Sequence, residues 1–368
     1  MSDFSNCKVE HIETPALLLD LDLLEENIRI MADFFKDRKV SLRPHFKTCK
    51  CPTVAHLQLE AGAKGITCAK VGEAEVLVNA GIRDVLVANQ VVDPDKIYRL
   101  ACMARGGARI TVAVDCVENI ESLSSVARNV GTTLHVLIEI DVGMNRCGVN
   151  TKEEALDLAR RIGSAPGLAF EGIQAYEGHL VFDLHQPTKL TDAVKREGVR
   201  KMQDKVGAIK SYLEDCGFPV KEVSGGGTGT YHITGDDTLW TEIQAGSYVF
   251  MDNVYSRGNL PFRNSLSILT TVIHKRPGMA VTDAGLKVCS TENGPPTIKD
   301  RPNLKILGNL SEEHGKVLDE GDELRYLQKI EYIPSHCCTT VNLHDQYYCV
   351  RKGRLEAVWP ISGRGRSR

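Results

Sequence analysis

A lysine at the end of a short run of alternating apolar residues is the first residue whose position suggests chemistry. The stretch SLRPHFKTCKCP, residues 41–52, carries Lys47 just past that run, with Arg43 and His45 shortly before it. Burying an unpaired ammonium group costs roughly several kcal/mol or lowers its pKa. A lysine at the end of a buried strand therefore either reaches solvent or has a chemical use, and a lowered pKa would make it a nucleophile.

A glycine-rich stretch provides the second feature. SGGGTGT, residues 224–230, offers backbone amides and hydroxyl groups without bulky side chains, which permits the close approach that a phosphate needs. An ordinary glycine-rich turn is the alternative. A phosphate site together with Lys47 predicts pyridoxal phosphate, whose aldehyde forms a Schiff base with a lysine and whose ring withdraws electrons.

A histidine and two cysteines form the third feature, in SHCC, residues 335–338. On an extended strand, residues two apart face the same side, so His336 and Cys338 could bind one ion while Cys337 points away. This pair suits zinc or another borderline-soft divalent metal. Core packing is the alternative. His344 and Asp345 in NLHD are possible further ligands, although we favour a surface turn there.

Eight short β-rich runs recur between these features. They alternate with amphipathic stretches such as TKEEALDLARRIG, several of which start at a capping residue and end at glycine. Eight β-α units in about 230 residues predict a closed (β/α)8 barrel, with a doubly wound open sheet as the alternative. The predicted strands cover residues 40–46, 65–69, 84–89, 109–115, 134–141, 170–176, 220–226 and 240–246.

The pattern changes from about Ser256 onward, where strands joined by turns replace the β-α alternation. We therefore expect a barrel domain over residues 16–255. A second, smaller all-β domain is expected over residues 256–368, with residues 1–15 assigned to it.

The barrel places the unusual residues at one end. In such barrels functional residues gather at the carboxyl ends of the strands. Lys47 follows the first predicted strand, Arg146 in DVGMNRCG follows the fifth, and Tyr176 with EGH closes the sixth. The glycine-rich stretch follows the seventh strand and AGSYVFMD follows the eighth, so all five segments are expected at one face of the barrel.

Composition favours a small-molecule partner. The 368 residues carry a net charge of -3, with 42% hydrophobic and 25% charged residues, which argues against a nucleic-acid-binding surface. Residues 1–13 lack a signal peptide pattern, and no apolar segment reaches the roughly 18 residues of a membrane span. A cytoplasmic location follows, and with it reduced thiols for the twelve cysteines. KTCKC could form a metal-binding hairpin, but no second cysteine pair stands at zinc-finger spacing.

Seven motifs in order resemble a known family. RPHFKT, GMNRCG, GGGTGT, QAGSYVFMD, DAGLK, EEHG and SHCCTTVNLHD together resemble metal-activated D-threonine aldolases and their relatives, the D-serine dehydratases and the 3-hydroxyaspartate aldolases and dehydratases. The likeness runs from about Thr14 to the end of the chain. GMNRCG is also similar to the arginine motif of alanine racemases, which share the arrangement of barrel and β domain.

The resemblance implies roles for individual residues. It implies that Lys47 holds pyridoxal phosphate, that Arg146 lies beside the ring hydroxyl and that Tyr176 approaches the ring. His336 and Cys338 match the metal-ligand positions, with zinc or manganese as the ion. The active site would be a cleft between the barrel of one subunit and the β domain of another, which implies a homodimer. The phosphate would be bound by Gly226, Gly227, Thr228, Gly229, Thr230, Gly246, Ser247 and Tyr248.

The reaction implied is carried out on a D-configured 3-hydroxy-α-amino acid. We expect retro-aldol cleavage to glycine and an aldehyde, with Lys47 and His179 as catalytic residues and with His45 as an alternative proton carrier. Aldolases of this group more often resemble H-x-D at the metal site, whereas H-x-C resembles the dehydratases. Elimination to a 2-oxo acid and ammonia is therefore the main alternative, and an amino-acid racemase or a non-catalytic pyridoxal-phosphate-binding protein are weaker ones.

Overall fold

The computed structural model describes residues 7–181 and 190–368. The chain divides into two compact units. The barrel unit comprises Ala32–Lys47, Val54–Gly246 and Arg366–Arg368, and the β unit comprises the residues up to Met31 with Thr48–Thr53 and Ser247–Gly365.

The helices and strands of the described residues have the following bounds. Short 3-10 helices cover Val9–His11, Gly178–Leu180 and Ser247–Val249. The α-helices are α1 Leu21–Phe35, α2 Pro52–Glu60, α3 Val71–Asn79, α4 Pro94–Arg105, α5 Val117–Val130, α6 Lys152–Ser164, α7 Asp192–Asp215, α8 Tyr231–Thr234, α9 Asn253–Ser256 and α10 Cys337–Val341. The strands are β1 Ala16–Asp20, β2 Ser41–Leu42, β3 Ile66–Cys68, β4 Asp84–Gln90, β5 Arg109–Val114, β6 Leu134–Glu139, β7 Leu168–Ala175, β8 Glu222–Gly225, β9 Glu242–Ile243, β10 Leu266–Arg276, β11 Gly278–Thr282, β12 Thr297–Ile298, β13 Lys305–Ile306, β14 Gly315–Asp319, β15 Lys329–Ile333, β16 Gln346–Arg351 and β17 Arg354–Pro360.

Eight parallel strands form the barrel unit in the order β2-β9-β8-β7-β6-β5-β4-β3. The two end strands are joined by backbone hydrogen bonds, because Thr67 N donates to Pro44 O (2.9 Å) and Phe46 N donates to Thr67 O (2.7 Å). This closes the sheet, so the predicted (β/α)8 barrel is confirmed and the open doubly wound sheet is excluded. β2 is shorter than predicted because Pro44 has no amide to continue the ladder.

Local sequence signals explain where the helices start and stop. Asp93 caps α4 by accepting from Lys96 N, with Pro94 as the first helical residue. Thr151 and Glu154 form a capping box at the start of α6. α5 ends at Gly131, whose positive φ of 72° a residue with a side chain adopts less readily. These signals set the lengths of the β-α units.

The β unit contains a nine-stranded sheet in the order β13-β14-β11-β10-β1-β16-β17, with β15 pairing β10 and β12. β1, the first strand of the predicted barrel domain 16–255, lies in this sheet, antiparallel to β10 and parallel to β16. Its apolar side chains pack in a cluster with those of β10, β16 and β17, which accounts for the pairing. This cluster consists of Ile12, Ala16, Leu18, Leu269, Val350 and Leu355.

None of the twelve cysteines, all of which lie among the described residues, forms a disulfide. Among the described residues, no helix combines the length and apolarity that crossing a membrane requires.

A buried arginine directly after β2 forms ion pairs with β9 and β4. Arg43 is 4% exposed, and its guanidinium donates to Glu242 on β9 (2.8 Å) and to Asp84 on β4 (2.8 Å). Burial lowers the pKa of Arg43, but Glu242 and Asp84 raise it by more, so the group stays charged. One cation therefore connects three strands where the sheet closes.

A polar chain continues from this ion pair across the barrel interior. Glu242 accepts from Ser224 Oγ (2.8 Å), and Gln244 Nε2 donates to Ser224 Oγ (2.8 Å) and to Gln174 Oε1 (3.0 Å). Gln174 Nε2 then donates to Glu139 on β6. Each buried polar group in this chain has a partner, so its burial is compensated.

Replacing Arg43 with methionine should destabilise the protein by about 3 kcal/mol or more, because Glu242 would keep a buried charge without its main partner. The loss is measured as a fall in the urea midpoint. The matched control is Arg200→Met on α7, where an exposed arginine pairs with Glu197 and Asp204. That variant should leave the urea midpoint nearly unchanged, because an ion pair exposed to solvent contributes little to stability. Equal losses for both variants would contradict a structural role for the Arg43 pair.

Candidate active site

Lys47 lies just past β2 at the carboxyl end of the barrel and is exposed. Its backbone amide donates to Nδ1 of His45 (3.3 Å), so this histidine helps to fix the main chain before the lysine. The amine reaches solvent, and burial therefore does not explain its predicted reactivity. The amine is instead accessible to a ligand that enters the open end of the barrel.

The structure brings three of the predicted residues together around one aromatic ring. Lys47 Nζ lies 5.7 Å from the centre of the Tyr176 ring, and Cζ of Arg146 lies 5.8 Å from the same centre. Both cations are within the range in which a ring face attracts positive charge. Tyr176, Lys47 and Arg146 therefore form one cluster, although they follow three different strands.

Two carboxylates hold the loop that carries Arg146. Asp141 accepts from the backbone amides of Gly143 (2.9 Å) and Asn145 (3.1 Å), and Asp115 accepts from the amide of Gly148 (3.0 Å). Gly148 has a φ of +106°, and an added Cβ would lie 2.6 Å from Asp141 N. The loop conformation therefore depends on glycine at this position and on both carboxylates.

Glu139 lies at the end of β6, below this loop, and is 5% exposed. Burial raises its pKa to about 7, against the opposing effects of Gln174 and Arg146, while Asp115 and Asp141 add to the rise. A carboxyl group with such a pKa binds a proton near neutral pH, which reduces repulsion among the three acids.

His179 packs against the loop that carries Arg146. A Cβ on Gly143 would lie 2.8 Å from Nε2 of His179, so glycine is needed there. Nδ1 of His179 is buried and has no hydrogen-bond partner among the described residues. Burial lowers the pKa of His179, and the charge of Asp141 opposes this only in part. The imidazole is therefore neutral at neutral pH and can accept a proton.

The glycine-rich loop is buried throughout residues 224–230. Gly226 has a φ of +71°, and an added Cβ would lie 2.9 Å from Ile243. A Cβ on Gly229 would lie 2.8 Å from Val181. Larger residues are therefore excluded from the loop, which fits the close approach of a phosphate.

Sequence reasoning missed Glu177, which supports this loop. The residue is fully buried, and its carboxylate accepts from Gly226 N (3.1 Å), Thr230 Oγ1 (2.7 Å) and Thr234 Oγ1 (2.9 Å). Burial raises the pKa of Glu177, although these hydrogen bonds act in the opposite direction. The signal in the sequence was an acidic residue directly after a buried strand, between Tyr176 and His179.

In the β unit, His336, Cys337 and Cys338 form a cluster whose ligand atoms all lie within 4.8 Å of one another. The prediction of an extended strand through Cys338 is wrong, since α10 begins at Cys337 and His336 is its N-cap. The cause is Asp252, which accepts from the amide of Cys337 (2.9 Å) and pairs with Nδ1 of His336 (2.8 Å). Cys337 consequently does not point away from its neighbours, contrary to expectation.

This cluster has the donor atoms that a divalent metal requires. An imidazole nitrogen with a thiolate suits zinc or a similar borderline-soft ion, and a carboxylate behind the histidine fixes its orientation. Burial acts to lower the pKa of His336, but Cys338 and Asp252 raise it to about 11. The negative donors that favour a proton here also favour a metal cation.

Two hydroxyl groups lie near the Cys338 thiol. Thr48 Oγ1 lies 3.2 Å from Cys338 Sγ, and Ser247 Oγ lies 3.8 Å from it. Ser247, predicted to bind phosphate, thus has a contact with the thiol. Thr48 is the residue that follows Lys47 in the chain.

The remaining candidate ligands have structural roles. Nε2 of His344 bonds to Val288 O (2.7 Å), and Asp345 pairs with Arg364 (2.7 Å) in a turn. This agrees with the surface turn favoured for NLHD. Cys49 and Cys51 of KTCKC are both buried.

Two protein families match the chain, one in each part. Residues 19–254 match the family described as alanine racemase, N-terminal domain. Residues 265–350 match the family described as putative serine dehydratase domain.

Two relatives that align over nearly the whole chain are aldolases. The chain is 42% identical to 3-hydroxy-D-aspartate aldolase from Paracoccus denitrificans (strain Pd 1222), covering 96% of this chain and 93% of that protein. It is 40% identical to D-threonine aldolase from an Arthrobacter species, covering 97% and 94%. The crystal structure of D-threonine aldolase from Filomicrobium marinum has a TM-score of 0.93 at 38% identity, covering 98% of this chain and 97% of that one.

Dehydratases are also similar, at lower identity. D-threo-3-hydroxyaspartate dehydratase from Delftia sp. HT23 has a TM-score of 0.85 at 26% identity, covering 96% of this chain and 99% of that one. Two further structures are of D-threo-3-hydroxyaspartate dehydratase variants. One has alanine in place of a histidine. The other has alanine in place of a cysteine two positions later and is in the metal-free form. This spacing is the same as that of His336 and Cys338. By its barrel and by its full-length relatives, the chain belongs to the alanine racemase N-terminal domain family and, within it, to the group that includes 3-hydroxy-D-aspartate aldolase and D-threonine aldolase.

Proposed function

We propose that the chain is a pyridoxal-phosphate- and divalent-metal-dependent lyase that cleaves D-3-hydroxy-α-amino acids to glycine and an aldehyde. The observation that carries this proposal is the cluster of Lys47, Arg146 and Tyr176 at the same end of the barrel as the buried glycine loop. The relatives at 40% and 42% identity are aldolases, which supports cleavage as the reaction.

The cofactor would be held at both of its ends. Lys47 offers an accessible amine for the aldehyde, and the loop Gly226–Thr230 excludes side chains that would keep a phosphate away. Arg146 and Tyr176 would orient the ring between these ends. When bound, pyridoxal phosphate supplies an electron sink for negative charge that develops at Cα of the substrate.

Proton transfer in this proposal falls to His179. Its neutral imidazole can accept the proton of the substrate 3-hydroxyl. The hydroxyl oxygen then becomes the aldehyde carbonyl as the Cα–Cβ bond breaks, and its electron pair remains with Cα. Its packing against Gly143 fixes the ring next to the Arg146 loop. His45 is less suited to this step because its Nδ1 already accepts the amide of Lys47.

The metal would be held by His336 and Cys338, with Asp252 orienting the imidazole. A divalent ion at these residues supplies a Lewis acid that lowers the pKa of a bound hydroxyl group. Zinc or manganese is the proposed ion, and the thiolate favours zinc. A racemase or a non-catalytic binding protein would give this ligand pair no role.

Elimination is the second candidate reaction, and one observation favours it. His336 and Cys338 have the same spacing as the histidine and the cysteine that alanine replaces in the two dehydratase variants, of which the cysteine variant is metal-free. In that reaction Lys47 would take the Cα proton and the hydroxyl would leave, giving a 2-oxo acid and ammonia. We further propose a cytoplasmic location and a homodimer; light scattering of the purified protein would test the homodimer.

The Lys47→Ala variant should lack the visible absorbance of bound pyridoxal phosphate, because it removes the amine that attaches the aldehyde. Lys70→Ala, which removes an exposed lysine at the start of α3, should keep this absorbance. Borohydride reduction followed by peptide mapping should label Lys47. A label on Lys50 or Lys70 would refute the assignment.

Chelation should abolish turnover and leave pyridoxal phosphate bound, since the ion is proposed to contact the substrate rather than the cofactor. Metal analysis should show the ion missing from His336→Ala and Cys338→Ala. Cys102→Ser, which changes an exposed thiol on α4, should retain it. Full activity in the presence of chelator would remove the metal from the mechanism.

Product analysis separates the two reactions. With D-threonine, cleavage gives glycine and acetaldehyde, whereas elimination gives 2-oxobutanoate and ammonia. We expect glycine from D-threonine and no pyruvate from D-serine. Cys338→Asp should keep cleavage and shift the metal preference toward manganese or magnesium, because a carboxylate is a harder ligand than a thiolate. Stoichiometric ammonia without glycine would establish the dehydratase instead.

A further inference from the structure

Three of the four residues that follow β7 support the site at separate places. The centre of the Tyr176 ring lies 5.7 Å from Lys47 Nζ and 5.8 Å from Arg146 Cζ, and His179 packs against Gly143. Between them, Glu177 turns inward to the glycine loop and is 0% exposed. A buried carboxylate at this position needs a function, because burying its charge is costly without several donors.

Glu177 has such donors, and all of them belong to the glycine loop or to the helix that follows it. Oε2 accepts from Gly226 N (3.1 Å), while Oε1 accepts from Thr230 Oγ1 (2.7 Å) and Thr234 Oγ1 (2.9 Å). The carboxylate thus connects the start of the loop, its end and α8. Both of its oxygens are used in these bonds.

Bonds within the loop complete this arrangement. Gly227 N donates to Thr230 Oγ1 (3.3 Å), and Thr230 N donates to Gly227 O (3.1 Å). The amide of Gly226 and the hydroxyl of Thr230, two groups expected to bind phosphate, are therefore directed to the protein itself. Together with the positive φ of Gly226, these bonds define the conformation of the loop.

We propose that Glu177 is a positioning residue for the cofactor phosphate: it fixes the loop Gly226–Thr230 in the shape that binds phosphate and does not touch the phosphate. This inference rests on the proposed function, which makes the loop the phosphate site. A carboxylate repels a phosphate, so its place is behind the loop, where it bonds to amide and hydroxyl donors.

The test compares pyridoxal phosphate with pyridoxal, which lacks the phosphate, by absorbance titration of the purified protein. Glu177→Ala leaves the Gly226 amide and two hydroxyl groups buried without their acceptor. Its affinity for pyridoxal phosphate should fall by about tenfold or more, while its affinity for pyridoxal stays the same. Glu177→Gln keeps an acceptor oxygen for Gly226 N, so it should recover part of the lost affinity.

Glu171→Gln is the matched control, because Glu171 is a buried carboxylate in β7, the strand that precedes Glu177, and is bonded to His135 at 2.7 Å. It should bind both compounds as the unaltered protein does. If Glu177→Ala does not fold, Glu177→Gln carries the test and should still weaken pyridoxal phosphate selectively.

Equal weakening of both compounds, or no weakening of either, would overturn the role of Glu177. If the unaltered protein binds pyridoxal as tightly as pyridoxal phosphate, the phosphate site of the proposed function fails, and this inference fails with it. If the unaltered protein prefers pyridoxal phosphate and the Glu177 variants keep that preference, only the role of Glu177 is refuted.

Discussion

The barrel depends on one buried cation where its sheet closes. Arg43 donates to Glu242 and Asp84, which lie on strands β9 and β4. Because β2 has few regular ladder positions before Pro44, side-chain bonds replace part of the pairing that a longer strand would supply. Lys47 follows within four residues, so the position of the proposed cofactor lysine depends on this ion pair.

Buried carboxylates recur wherever a functional segment needs a fixed backbone. Asp141 holds the Arg146 loop, Glu177 holds the glycine loop and Asp252 holds the start of α10 next to His336. In each case a carboxylate accepts a backbone amide that would otherwise lack an acceptor. An amide bonded to a buried charge is costly to release, which keeps these loops in one conformation.

The sequence was sufficient to predict the barrel, because parallel strands buried on both faces form short apolar runs. β5, predicted over 109–115, is observed as Arg109–Val114. The same property hides which sheet a strand joins: β1 is apolar at four consecutive positions, and nothing in that run indicates that its partners are β10 and β16. Long-range pairing is decided by residues more than 200 positions away.

At the site, residue types predicted the cluster of Lys47, Arg146 and Tyr176 but not the groups that position it. Strand ends could be read from periodicity, and this placed the three side chains at one end of the barrel. The local geometry of SHCC could not be read, because the helix at Cys337 depends on Asp252, which is distant in sequence. The role of Glu177 could not be predicted either, because its partners Gly226 and Thr230 lie in the loop that follows a different strand, β8.

In the proposed mechanism, the protonation state of His179 bears on the choice between cleavage and elimination. Cleavage requires a group that accepts the proton of the 3-hydroxyl, whereas elimination requires that hydroxyl to leave, which an acid or a Lewis acid assists. Burial lowers the pKa of His179, so the imidazole is present as a base rather than as an acid at neutral pH. Asp141, whose charge favours the protonated ring, is itself engaged by the amides of Gly143 and Asn145. The described surroundings of His179 therefore favour its neutral form, which is the form that a proton acceptor in the proposed aldolase reaction requires.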